Sequence, residues 1–172
     1  MGDGRRAREP ATAQTEVGEA YEASTSALQA AKGQRLSLQR AIGGLEQALG
    51  PPAAGEEQGV WLERLGGALA HLDEVFAVHV RVTEAAGGLY EEILENAPRL
   101  ANRVKRFRRE HADITAAIRR GIAETQEAAR DVGRVDALRD HAVRLLADLV
   151  RHRKRGLDLV YEAYHVDIGG ES

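Results

Sequence analysis

Between residues 65 and 83 the positions Leu65, Leu69, Leu72, Phe76, His79 and Thr83 follow one another in alternating steps of four and three. That spacing keeps side chains on one stripe of an α-helix, whereas a strand would bring every second residue to a face. The same alternation runs through Leu100, Val104, Phe107, His111, Ile114 and Ile118. It returns in Leu138, Ala142, Leu145, Leu149, His152, Gly156 and Leu159. An earlier stretch carries it through Val17, Tyr21, Ser24, Leu28, Ala31, Leu38, Ile42, Leu45 and Leu49, with Arg35 at the one seam position left over. Four such segments, each with a single apolar stripe, can bury their stripes only against one another. The pattern predicts an all-α chain folded as one antiparallel, up-down-up-down four-helix bundle.

Turn residues mark the joints. Gly50-Pro51-Pro52 ends the first helix and Gly87-Gly88 the second. Residues 89–95 read as a short extra turn, and Asn96 with Pro98 behind it as the start of the third helix. The third stops near Gly133 and the fourth begins near Val135. Residues 1–13 are polar and without period, so a disordered arm is expected there, then the bundle over 14–164 and a tail over 165–172. Gly43-Gly44 and Gly66-Gly67 are costly inside helices. They read either as a close approach of the first two helices or as local fraying.

Composition narrows the function classes. A chain of 172 residues suits one domain that folds without disulfide or metal. With no Cys, thiolate metal sites and thiol catalysis are excluded, and His and carboxylates must carry any site chemistry. Net charge is −3, so no global field steers the chain to nucleic acid. No apolar run is long enough to span a membrane, and the first residues do not resemble a secretory signal. A cytoplasmic location is expected.

Each seam is broken by polar residues in the middle or lower part of the bundle. His79 and Thr83 break the second helix, His111 the third, His152 and Gly156 the fourth, and Arg35 or its neighbour Gln34 the first. Counting 1.5 Å per residue from the helix ends puts His111 and His152 near one height, with His79 approaching the same layer. A lone seam His is ordinarily a hydrogen-bonded core residue. Three in one layer must each be desolvated and satisfied, and one bound cation would satisfy all of them. Glu84 is the nearest candidate carboxylate and Asp158 a weaker one. His71, His141 and His165 read as surface residues. Arg35 either points inward toward Glu84, replacing metal charge with guanidinium charge, or snorkels outward.

Trp61 at the start of the second helix, the block His79-Val-Arg-Val-Thr-Glu84 followed by Gly88-Leu-Tyr-Glu-Glu, Arg-Arg-Glu110-His111, and Arg151-His152-Arg-Lys-Arg leading to Leu-Val-Tyr-Glu resemble the hemerythrin-like (HHE cation-binding) bundles. The likeness covers residues from about 28 to 162. It implies four helices around a non-haem di-iron site, of whose ligands the chain keeps His79, His111 and His152, with Glu84 beside the seam as the added candidate metal residue. The chain departs from the family pattern at several places. Arg35 or Gln34 stands where the first helix should give a His, Thr83 four residues after His79, Thr115 four after His111, and Gly156-Leu157 where the last helix should give a carboxylate. The implied site is therefore a reduced one for iron or another divalent transition metal, and a full di-iron centre is not expected.

The functional expectation is a metal-binding or oxygen- and redox-sensing protein, not an enzyme. The alternative is a metal-free bundle acting as a protein-interaction module. A di-iron oxidase or peroxidase would need carboxylates that the seams lack. Basic runs at Arg103, Lys105, Arg106, Arg108 and Arg109 and at Arg151, Arg153, Lys154 and Arg155 offer a face for an acidic protein partner, or a solvated surface answered by neighbouring acids. No aromatic interleaving supports nucleic acid.

Overall fold

The computed structural model describes residues 11–50 and 57–165, with residues 11–28 and 165 described by backbone alone. Four long helices, α1 (Ala11–Leu49), α2 (Gln58–Glu84), α4 (Ala101–Ala128) and α5 (Val135–His165), are joined by a short α3 (Leu89–Asn96) and two 3-10 turns, Pro98–Leu100 and Val132–Arg134. No strand occurs among the described residues. Most of the expected arm lies outside them, but residues 11–13 already belong to α1, and α5 reaches one residue into the expected tail. No helix of the described residues is long and apolar enough to cross a membrane.

The seams become two separate apolar cores. The larger gathers residues 38–48 of α1, 61–76 of α2, 114–128 of α4 and 138–149 of α5. The smaller gathers Ala31, α3 with Ala97 and Leu100, Val104 and Phe107 of α4, and Leu159 and Ala163 of α5. The larger core thus takes the late half of α1, the early half of α2, the late half of α4 and the early half of α5. Each long helix therefore runs opposite to the one before it. Cross-links agree: Arg103 meets Glu162, Glu110 meets His152, and Ala117 meets His141, so numbers rise on α4 as they fall on α5. Burying one Leu or Phe contributes about 1.5–3 kcal/mol, and the two cores hold more than a dozen such side chains buried at both ends of the bundle. The layer between them, at His79, Thr83, His111 and His152, is where the apolar seams stop.

A tight turn puts one more group over that layer. Gly87 has φ +69°, a conformation that disfavours side chains, and a Cβ on Gly88 would lie 2.7 Å from the Ala85 carbonyl oxygen. The reversal packs α3 against α2, α1 and α5, with Leu89, Tyr90 and Ile93 buried. Asn96 closes α3, its side-chain amide donating to the Glu92 carbonyl at 2.9 Å, and does not cap the next helix. That helix is led in by the turn at Pro98, whose ring fits a first-turn position. The glycine pairs do not draw the first two helices together. A Cβ on Gly66 would face Thr125 of α4 at 3.5 Å, and Gly43, Gly44 and Gly67 face open space.

Candidate metal centre

His79 enters the layer from α2, His111 from α4 and His152 from α5, each one helical step beyond a buried Phe or Leu of its seam. Ring centroids stand 5.1 Å apart for His79 and His111, 4.9 Å for His111 and His152, and 5.7 Å for His79 and His152. The three are 7, 1 and 3% exposed. One nitrogen from each can be chosen so that all three lie within 4.8 Å of one another. Three buried histidines are thus placed to hold a metal ion, and the expected convergence is present.

Hydrogen bonds behind the rings decide which nitrogens face inward. The Glu84 carboxylate accepts from His111 Nδ1 at 2.5 Å, so Nε2 of that ring is left as an acceptor and takes the Tyr90 hydroxyl at 3.2 Å. Glu110 accepts from His152 Nδ1 at 3.2 Å and from Arg155 at 3.1 Å, which leaves His152 Nε2 facing His79 Nε2 at 3.5 Å. Carboxylates that take the outer N–H of an imidazole fix its tautomer and raise its basicity toward a metal on the other side. His79 has no such partner: its Nδ1 is buried without a hydrogen bond. The Thr83 hydroxyl donates to the His79 carbonyl at 2.9 Å and lies beside the Tyr90 hydroxyl.

The electrostatics keep all three rings neutral. Burial, then the neighbouring His152 and Arg35, pushes His79 down to about 4. Burial, then His79 and His152, pushes His111 down to about 2. His152 is also lowered by burial, against the opposing pull of Glu110. Neutral imidazole is the form that binds transition metals. The spacing fits at one pair, within a set whose nitrogens lie up to 4.8 Å apart. Two nitrogens roughly 2.0–2.1 Å from one tetrahedral ion stand roughly 3.3–3.4 Å apart, close to the 3.5 Å between His79 and His152. This donor set suits one ion.

Of the four sequence-derived metal residues, the structure brings three together and places the fourth behind them. Glu84 is the last residue of α2 and one position past the seam, so its carboxylate reaches the outer edge of His111 and not the shared centre. Burial raises its pKa, against the opposing pull of Arg108. Arg35 does not ion-pair with Glu84. It is half-buried, acts on His79, and lines a cavity beside the rings. Asp158 and His71 are exposed, and the side chain of His165 lies outside the described residues.

His141 is a correction. Expected at the surface, it is only 9% exposed, with Nε2 donating to the Ala117 carbonyl at 2.9 Å and Nδ1 3.3 Å from Glu124. It flanks the seam residues Leu138 and Ala142, and lies in ordinary contact range of Gly121 of α4, where a Cβ would be 3.8 Å from Cδ2. Glu110 and Tyr90 were missed as site residues. Glu110 had a signal in its place beside a seam His. Tyr90 had none, because only the Gly87-Gly88 reversal brings it to the layer.

Comparison with protein-family models, curated proteins and solved structures yields no match to this chain.

Proposed function

We propose that this chain binds one divalent transition metal through His79, His111 and His152, and serves in metal binding or oxygen and redox sensing without turning over a substrate. The observation that carries the reading is the three buried, neutral imidazoles with ligand nitrogens within 4.8 Å. Two of those rings are oriented by carboxylates on their outer nitrogens, and the third has a buried nitrogen with no hydrogen bond. A three-His set leaves coordination positions open, where a bound ion could act as a Lewis acid or, if it is iron, exchange an electron. We read the bundle as a reduced relative of the hemerythrin-like proteins on the strength of the sequence blocks that carry His79, His111 and His152. In that reading Glu84 and Glu110 are positioning residues, and iron is one of several ions, with zinc, that imidazole donors suit.

One observation favours the metal-free interaction module instead. Both nitrogens of His111 already have partners, Glu84 and Tyr90, as in an ordinary satisfied core His. The basic face of α4 and α5 supports a partner less well, since Arg103, Arg151 and Arg155 are answered by Glu162, Asp148 and Glu110. Thermal melting with and without Fe(II) or Zn(II) separates the two readings. Metal bound only to the native state at a hundredfold excess over Kd adds about 2.7 kcal/mol. The midpoint should rise by several degrees at pH 7.5 and still rise at pH 5.5, because protons compete with metal for His79 only as pH nears 4. Superimposable melts at pH 7.5 would leave the interaction module.

A further inference from the structure

The Tyr90 hydroxyl sits on a nitrogen that the metal reading also needs. His111 donates its Nδ1–H to Glu84, so its Nε2 carries a single lone pair, and that lone pair takes the Tyr90 hydroxyl at 3.2 Å. The same lone pair would bind an ion. One nitrogen cannot do both, so loading the site breaks this hydrogen bond and leaves the phenol oxygen in need of a new partner.

Packing keeps that oxygen in place. Tyr90 is 4% exposed, its ring stacked on His111 at 5.7 Å with 15° between the planes and tilted against Phe107 at 6.3 Å. Leu89 and Ile93, also buried, seat α3 in the smaller core. The phenol shares free space with the other two rings, because Tyr90, His79 and His152 border one cavity of about 40 Å³. Ligand atoms roughly 2.0–2.1 Å from one tetrahedral ion stand roughly 3.3–3.4 Å apart. The phenol oxygen already lies 3.2 Å from His111 Nε2, close to that spacing.

We propose that Tyr90 is a fourth ligand of the metal centre, its phenolate oxygen joining the three imidazoles on one ion. As the oxygen–metal bond forms, the phenol proton passes to solvent. The negative oxygen then offsets part of the charge that an ion brings among three neutral, buried rings. An anionic oxygen is a harder ligand than imidazole, so Tyr90 holds iron more firmly as Fe(III) than as Fe(II). This role rests on the metal reading.

The test loads the full chain anaerobically with Fe(II), oxidises it with ferricyanide and counts retained iron by elemental analysis. Ferric wild type should show an intense visible phenolate-to-iron charge-transfer band, with tyrosinate ring modes in its resonance Raman spectrum. Tyr90→Phe should retain iron and lose both signals, whereas Tyr161→Phe, at an exposed position, should keep both. A Tyr90 that only hydrogen-bonds to His111 would give neither. Melting curves establish that each variant is folded. Should Tyr90→Phe not fold, a band kept by Tyr21→Phe, Tyr161→Phe and Tyr164→Phe assigns it to Tyr90, the remaining tyrosine of the chain, and a band lost in one of the three overturns the proposal. Retained iron without the band, or a band that persists in Tyr90→Phe, overturns the phenolate ligand and leaves the metal reading standing. If wild type retains no iron the phenolate ligand is overturned, and if it retains no Zn(II) either, so is the metal reading.

Discussion

His141 and His152 stand about three turns apart on the same face of α5, both buried, each with Nδ1 beside a carboxylate of α4. They differ at the other nitrogen. His141 Nε2 donates to the Ala117 carbonyl at 2.9 Å, so that nitrogen is spent on holding α4 to α5. His152 Nε2, left with a free lone pair because Nδ1 donates to Glu110, ends 3.5 Å from His79 Nε2 and meets no backbone group. One is a core histidine and the other has the environment of a ligand. Burial alone does not separate the two. The partner of the inward nitrogen does.

The largest expected difference between them is in metal affinity. His152→Ala should weaken Zn(II) or Co(II) by at least about a hundredfold, whereas His141→Ala should leave it within about twofold, as read by competition with a chromophoric chelator. Equal losses would break the comparison. Next come the carboxylates behind the rings. Glu84→Gln and Glu110→Gln should each cost roughly 10–100-fold in affinity, the usual scale for a group that orients a ligand, and Glu124→Gln behind His141 should cost nothing.

Acidification should then separate the layer from both cores. The folded-state pKa of His79 is pushed from 6.5 to about 4, so the unfolded chain binds the proton more readily. Stability from keeping this ring neutral is complete above pH 6.5 and is lost as pH falls toward 4. For His79 alone the loss in metal-free protein is on the order of 2 kcal/mol between pH 7 and 4.5. His111, pushed lower still, adds to it in the same direction. Urea unfolding across that range should show the slope in wild type and a shallower one in His79→Leu. A slope unchanged by that substitution would mean the ring is not held neutral by burial.

Much of this architecture was legible because its period is strong. Every seam position of α2 and α4 from Leu65 to Thr83 and from Leu100 to Ile118 is buried, and the three seam histidines meet as their phase required. Roles at the layer's edge were less legible. Glu84 could be placed near the site, but which side of His111 it would reach depends on a rotation of one residue past the seam. Tyr90 depends on a glycine reversal that folds α3 back. His141 lies beside its seam and not on it, so periodicity sent it to solvent. The ring is met by the Ala117 carbonyl and Glu124 across the α4/α5 contact, a tertiary fact with no local signature.

Smaller effects sharpen the contrast between layer and scaffold. His141→Ala should cost about 1–2 kcal/mol through its lost hydrogen bond to Ala117 and lost packing, with no change in metal dependence. Gly43→Ala or Gly44→Ala should stabilise the bundle by up to about 1 kcal/mol, because a Cβ at either meets nothing within 4 Å and Ala is the better helix former. Destabilisation by either would show that α1 packs there against something.

The central claim is a single ion held by three imidazoles, and equilibrium dialysis followed by elemental analysis counts it directly. Protein dialysed against excess Zn(II) or, anaerobically, Fe(II) at pH 7.5 should retain close to one ion per chain, and His79→Ala, His111→Ala and His152→Ala should each retain close to none. Retention near two per chain with an oxo-bridged di-iron spectrum, or none in the wild type, would contradict it.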